Sequence, residues 1–203
     1  MHIDMSTLSP IQSYALMTQT VIPRPVAWIL TQNSDDSYNL APFSYFNGLS
    51  SDPPMIMISV GLAPDGSLKD TRVNIEARRE FIVHIAHREM ATAMTQSSAT
   101  MPPNESEVDM LNLPLAEMPG SNLPRLADCR IAYACEHDSV HMIKDQAIVF
   151  ATLKHLYAAD SVVGKDAKGR MTVSAVDVDP LGRLGGGEYF GAGELIYVER
   201  PAF

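Results

Sequence analysis

Fourteen prolines divide this 203-residue chain into short extended runs, and nothing else in the sequence restricts its fold as strongly. Proline fixes its own φ, lacks a backbone N–H and pushes the preceding residue out of the helical region. Eleven of them cluster at 23–25, 42, 53–54, 102–103, 114–124 and 180, which leaves little room for long helices. Runs rich in β-branched and aromatic residues lie between them. Val26–Thr31, Met55–Val60, Phe81–Ile85, Ile131–Glu136, Gln146–Tyr157 and Leu195–Val198, the last ending at Pro201, each read as a strand. In Met55–Val60 one face carries Ile56, Ile58 and Val60 and the other Met55, Met57 and Ser59. Ser59 is the one polar side chain in that run. Its hydroxyl needs a partner, from the backbone or from a ligand.

Helical signals are fewer. Met90, Ala93 and Met94 have i, i+3, i+4 spacing and predict a helix over about 87–96. A shorter helix is expected from Asp70 or Thr71 to about Arg79, and Ser106 looks like an N-cap ahead of one or two turns. Six or seven strands with two or three helices predict a mainly β protein, a β-barrel with helical additions. No linker, repeat or low-complexity tract interrupts the chain, so one domain is expected over 1–203.

Charge excludes further classes. Lys and Arg number 15 against 24 Asp and Glu, a net charge of −9 that argues against a phosphate-backbone binder, so no nucleic-acid partner is expected. No apolar run approaches the roughly 20 residues of a membrane span. The opening residues, Met1 to Met5, lack the basic and apolar regions of a secretory signal. Two cysteines, Cys129 and Cys135, make no disulfide framework, and a cytoplasmic location is expected.

Familiar catalytic signatures are missing. Gly185-Gly186-Gly187 and Gly191-Ala192-Gly193 do not have dinucleotide-binding spacing, and there is no Walker A loop or nucleophile elbow. Cys135-x-His137-x₃-His141 has metal-ligand residue types but no fourth ligand, and reads as polar residues at a strand end. His84 alternates with apolar neighbours and reads as a core histidine.

Two segments carry chemistry. Asn39-Leu40-Ala41-Pro42-Phe43-Ser44-Tyr45-Phe46-Asn47 sets three aromatics in four positions beside Asn, Ser and Pro, between two strands. An aromatic turn that fills a core has this composition, and so does a surface for a planar heteroaromatic ligand. Lys69-Asp70-Thr71-x-x-Asn74 follows the Asp65-Gly66 turn at a predicted helix start. Plain capping by Asp70 or Thr71 is the better reading of it taken alone; the functional reading is a phosphate held on free N–H groups by Lys69 and Thr71. Arg24, between Pro23 and Pro25, is a cation on a stiffened stretch.

In order and spacing these pieces resemble the flavin reductase-like family of FMN-binding split barrels, from about Tyr14 to Pro201. The markers are Val21-Ile22-Pro23-Arg24-Pro25-Val26-Ala27-Trp28, the Asn39–Asn47 segment, Asp52-Pro53-Pro54, Lys69-Asp70-Thr71-x-x-Asn74, and Pro180-Leu181-Gly182-Arg183-Leu184-Gly185-Gly186 with Tyr189. The resemblance implies a homodimer with FMN in a cleft near the subunit interface. It implies that the Ala41-Pro42-Phe43-Ser44 backbone and the Ser44 side chain lie along the isoalloxazine ring, with Asn39 in the same cofactor-binding set. Thr31 and Asn47 are then close to the flavin, and Ser59 lies by the ribityl chain or phosphate. Lys69, Thr71 and Asn74 grip the phosphate, with Asp70 beside them. Arg24 and Arg183 either touch phosphate or stabilise the cleft. The chain departs from the family in Leu30 before Thr31, in a glycine-poor loop over 33–38, and in a polar, irregular stretch over 161–179.

Hydride transfer to a bound flavin needs no obligatory acid or base from the protein. The resemblance implies an NAD(P)H-dependent flavin reductase, with NADH or NADPH as reductant and an oxygenase or other electron acceptor as partner. The alternative is an FMN-holding electron carrier reduced by a partner protein. His155, on the long fifth strand, is the one candidate proton donor, and a surface or core histidine is the plainer reading of it.

Overall fold

The computed structural model describes residues 1–102, 105–191 and 193–198; Pro103, Ala192 and Pro201, named above, lie outside them. The chain opens with a 3₁₀ turn at Met5–Thr7 and α1 (Pro10–Thr20), followed by β1 (Arg24–Pro25), β2 (Ala27–Gln32), β3 (Tyr38–Phe43), β4 (Phe46–Ser51) and β5 (Pro54–Val60). Next come α2 (Asp70–Arg78), β6 (Glu80–Ile85), α3 (Ala91–Gln96) behind a 3₁₀ turn at Arg88–Met90, and α4 (Glu107–Met110). Two short strands, β7 (Leu115–Ala116) and β8 (Arg125–Leu126), precede the long hairpin β9 (Ile131–Ile143) and β10 (Gln146–Ala158). The remainder holds β11 (Val163–Lys165), β12 (Met171–Val173), α5 (Ala175–Val178), β13 (Gly182–Arg183) and β14 (Tyr189–Phe190).

Seven strands form one sheet in the order β3-β2-β6-β9-β10-β5-β4, and every neighbouring pair is antiparallel. Laid flat, its two edge strands would stand about 29 Å apart, at about 4.8 Å per strand spacing. Only Ser44 and Tyr45 separate the end of β3 from the start of β4. Such a link reaches about 11 Å at most. The sheet must therefore roll up until its edges meet at the 44–45 link. It is a barrel left unzipped along the β3–β4 seam.

Alternation divides the core in two. Ala27 and Ile29 of β2, Phe81 and Val83 of β6, Ile56, Ile58 and Val60 of β5, and Val149 and Ala151 of β10 fill the barrel interior. Trp28, Leu30 and Ile82 point the other way, beneath Met90, Met94, Val108, Met118 and Leu123. The helical additions thus cover one outer flank, and β2 is buried on both faces. On that flank Trp28 Nε1 donates to Ser97 Oγ at 2.8 Å. His84 is fully buried there, with Nδ1 3.0 Å from the Trp28 carbonyl and Nε2 accepting the Leu126 N–H at 2.9 Å. It is the core histidine expected from its apolar neighbours. Desolvation lowers its pKa to about 4. Cys129 and Cys135 are both buried and unpaired.

Several expectations need correction. The segment Asn39–Asn47, read as a turn, spans parts of two strands: β3 tolerates Pro42 because it is an edge strand, where a missing N–H costs no ladder bond. Leu195–Val198 is not a strand; it pairs with nothing among the described residues and its four side chains are 65–89% exposed. The 161–179 stretch is ordered, as the β11–β12 hairpin followed by α5, and Arg130 ties it down by donating to the Asp177 carbonyl. Neither Asp70 nor Thr71 is the cap of α2; Lys69 holds that position. Cys135, His137 and His141 lie along β9, and no cluster of metal-ligating side chains occurs among the described residues.

Candidate functional site

The chain between β5 and α2 folds back on itself. Ala63 N–H donates to the Ser67 carbonyl, Asp65 Oδ1 accepts from the Ser67 N–H and hydroxyl at 2.9 and 2.6 Å, and Gly66 takes a φ of +86°. This turn delivers Lys69 to the N-cap of α2, where its side chain makes no capping bond. The first-turn N–H groups of a helix have no intrahelical acceptors and carry partial positive charge. Here the N-cap side chain supplies none, while the Arg72 N–H bonds back to the Lys69 carbonyl at 2.9 Å, so the Asp70 and Thr71 N–H groups are the ones turned to the cavity wall.

That uncapped turn forms one wall of a cavity of about 550 Å³. Asn39, Ala41, Pro42 and Phe43 of β3 form a second wall, the 62–68 turn a third, and Ser97–Met101 with Glu107 close the far side. Lys69 Nζ lies 5.5 Å from the centre of the Phe43 ring. Burial lowers the Lys69 pKa and raises those of Asp70 and Glu107, the last also through repulsion from Asp70.

Behind the wall is a closed amide network. Asn39 Nδ2 donates to Thr31 Oγ1 and Thr71 Oγ1, both at 3.0 Å; Asn74 Nδ2 donates to Thr31 Oγ1 at 3.0 Å and to Asn33 Oδ1 at 2.8 Å. All four amide hydrogens of the two asparagines are used. Thr31, Thr71 and Asn74 are buried, so Thr31 and Asn74 brace the cavity wall from behind and do not line it.

A second group gathers at the seam. Arg24 is 5% exposed and spends four of its five N–H donors inside the fold: on the Thr18, Val21 and Leu184 carbonyls at 2.6, 2.8 and 3.0 Å and on Ser44 Oγ at 3.3 Å. These bonds tie the α1 end, the seam and the 184–186 turn together. Arg183 is its register partner across β1–β13, donates to the Gly186 carbonyl and stacks 4.7 Å from the Tyr189 ring centre. Ser44, next to Phe43, joins this group to the cavity wall.

Three expected residues stand elsewhere. Asn47 lies exposed on β4 and accepts the Gly48 N–H; Ser59 accepts from Gln146 Nε2 at 2.8 Å, so its partner is a side chain of β10. His155 is exposed on β10, pressed against Gly120, where a Cβ would meet its ring at 2.6 Å. None of the three lines the cavity. Sequence reasoning missed the Ser97–Met101 wall and Glu107. A run of small hydroxyl-bearing residues just past a helix end was the available signal for the first; for the second there was none.

Residues 17–176 match the family described as flavin reductase like domain. An uncharacterised protein of Halalkalibacterium halodurans is 33% identical, over 99% of this chain and 97% of that protein. Among solved structures, nitrilotriacetate monooxygenase component B from Bacillus cereus superposes with a TM-score of 0.87 at 28% identity, covering 98% of each chain. The Pseudomonas fluorescens 2-nitrobenzoate 2-nitroreductase NbaA does so at 0.86 and 31%, covering 100% of this chain and 98% of that one. Fold and cavity together define a split-barrel flavoprotein class. The chain belongs to the flavin reductase-like family.

Proposed function

We propose that the chain, over 1–203, is one flavin reductase-like domain that binds FMN and works as an oxidoreductase, reduced by NADH or NADPH and passing electrons to an acceptor. One observation carries the reading: the uncapped start of α2 opens, with Lys69, on a cavity whose β3 wall is the flat apolar pair Pro42 and Phe43. Free N–H groups and an ammonium suit a phosphate; a flat apolar wall with backbone polar groups suits a planar ring. A volume of about 550 Å³ lies within the range of cofactor pockets.

FMN, when bound, supplies hydride acceptance and onward electron transfer. The chain's own residues position it. Lys69 and the N–H groups of Asp70 and Thr71 at the start of α2 would hold the phosphate, with the Asp70 side chain beside them. The Ala41–Ser44 backbone would line the ring, and the bond from Arg24 to Ser44 fixes the end of that segment. Asn39 and Thr71 keep their places because Thr31 and Asn74 engage the same network.

A homodimer fits the surface. No residue of α1 is buried, and Ile11, Tyr14 and Met17 on it, with Val21 and Ile22 after it, are exposed. No helix among the described residues is long and apolar enough to cross a membrane. We place the protein in the cytoplasm and give it an oxygenase or another electron acceptor as partner; the two solved structures named above are a monooxygenase component and a nitroreductase. The visible spectrum of the purified protein, with and without added FMN, tests the reading. A bound-flavin spectrum that bleaches on anaerobic mixing with NADH or NADPH is expected. A protein that stays colourless after FMN is added overturns it, and bound FMN that neither nucleotide bleaches makes the chain an electron carrier.

A further inference from the structure

Glu107 is an acid in an expensive place. It is 6% exposed, one oxygen accepts the Leu40 N–H at 2.8 Å, and no ion pair among the described residues includes it. A buried carboxylate without a counter-cation is destabilising, so a chain that keeps one at a cavity wall invites a functional reason. The bond to Leu40 alone does not supply it, since the amide of a glutamine would accept the same N–H. The titratable groups on the other walls are Lys69 and Asp70 of α2 and Asp65 of the turn before it; β3 and Ser97–Met101 contribute none. On its own helix Asp109 is exposed. The cavity therefore sets one cation against three carboxyl groups. That balance is wrong for a phosphate dianion unless a carboxyl group takes up a proton.

Resting on the flavin reading above, we propose that Glu107 makes recognition of a phosphate monoester proton-linked: the dianion enters the cavity together with one solvent proton, which goes to the Glu107 carboxylate. Neutral Glu107 still accepts the Leu40 N–H through its carbonyl oxygen, so β3 keeps its place while the charge conflict disappears. Burial and the neighbouring Asp70 both favour the protonated acid. Glu107 thereby becomes a specificity-determining residue. It makes the affinity for ligands that bring a phosphate fall as pH rises and is indifferent to the same ring system without one.

The experiment is a pair of flavin titrations, FMN and riboflavin, on the flavin-free full chain between pH 7 and 8.5, where the FMN phosphate, with a second pKa of about 6, stays a dianion. In the unmodified protein the FMN Kd is expected to rise by about three- to tenfold per pH unit, the upper limit being uptake of one whole proton. Riboflavin should show no such slope. Glu107→Gln keeps an acceptor for Leu40 and removes the titration, so its FMN profile should be flatter and its affinity at pH 8.5 higher. Loss of charge from Lys69 as pH rises is common to both proteins, and the difference between slopes isolates Glu107. Riboflavin binding by Glu107→Gln, expected to match that of the unmodified protein, guards against a folding defect in the variant. Parallel FMN profiles in the unmodified protein and Glu107→Gln overturn the assignment while leaving FMN binding intact. Absence of FMN binding at every pH overturns the flavin reading and this assignment with it.

Discussion

Lys69 keeps its ammonium half-buried above the Phe43 ring, where desolvation works against the charge. Such a cation contributes most to a ligand that returns a charge-assisted hydrogen bond, about 1.5–3 kcal/mol. Lys69→Ala is expected to weaken FMN binding about 10- to 100-fold and riboflavin binding little, as read by fluorescence titration; equal losses for both ligands would take Lys69 off the phosphate. Thr71→Ala is a poorer test, because it also strips Asn39 of an acceptor inside the fold. His84 gives a prediction of another kind. Its pKa is about 4 when folded and about 6.5 when unfolded, so between these values only the unfolded chain takes the proton. Stability is full above pH 6.5 and falls with pH, by about 2 kcal/mol at pH 5. Urea midpoints at pH 7 and 5 should show this loss, and His84→Gln should remove most of it.

At the scale of elements, Thr31 ties β2 to β3 through Asn39 and to α2 through Asn74. Thr31→Val keeps the shape and leaves two buried amide donors short of an acceptor, at a cost of about 2–4 kcal/mol in chemical denaturation. Thr31→Ser should recover most of it; a Val variant as stable as the parent would mean that the network bears no strain from its loss. Elements whose identity is local were legible in the sequence: α2 begins at Asp70, the helix after His87 ends at Gln96, and Ser106 caps α4 through the Asp109 N–H. Elements that owe their state to distant partners were not. β3 and β4 contain Asn39, Pro42, Asn47 and Gly48, poor strand formers that pairing with β2 and β5 holds extended. Leu195–Val198 has the reverse history, with strong strand propensity and no partner strand among the described residues. α1 left a local signal that went unread: Ser9 and Gln12 form a capping box with Pro10 at the first helical position. The cavity was half legible, because β3 and α2 supply motifs, whereas Ser97–Met101 and Glu107 reach it only through the packing of the helical flank.

For the whole molecule, α1 is the most economical test of assembly. Because none of its residues is buried, Ile11→Asp with Met17→Asp should leave the circular dichroism spectrum unchanged. Sedimentation should then shift from twice the 22.2 kDa chain mass to the chain mass itself. A dimer that survives both charges would place the interface elsewhere. The barrel interior and its flank also decide how the molecule ages. Burial raises the thiol pKa of Cys129 to about 12 and that of Cys135 further, so neither forms the thiolate on which sulfur oxidation depends. Met142 and Met171 stand exposed instead. Oxidants that reach this protein meet thioethers first, and thioether damage is the kind that sulfoxide reductases repair. Oxidative wear is thereby expected first at the surface, in a reversible form, ahead of the buried sulfur of Cys129 and Cys135.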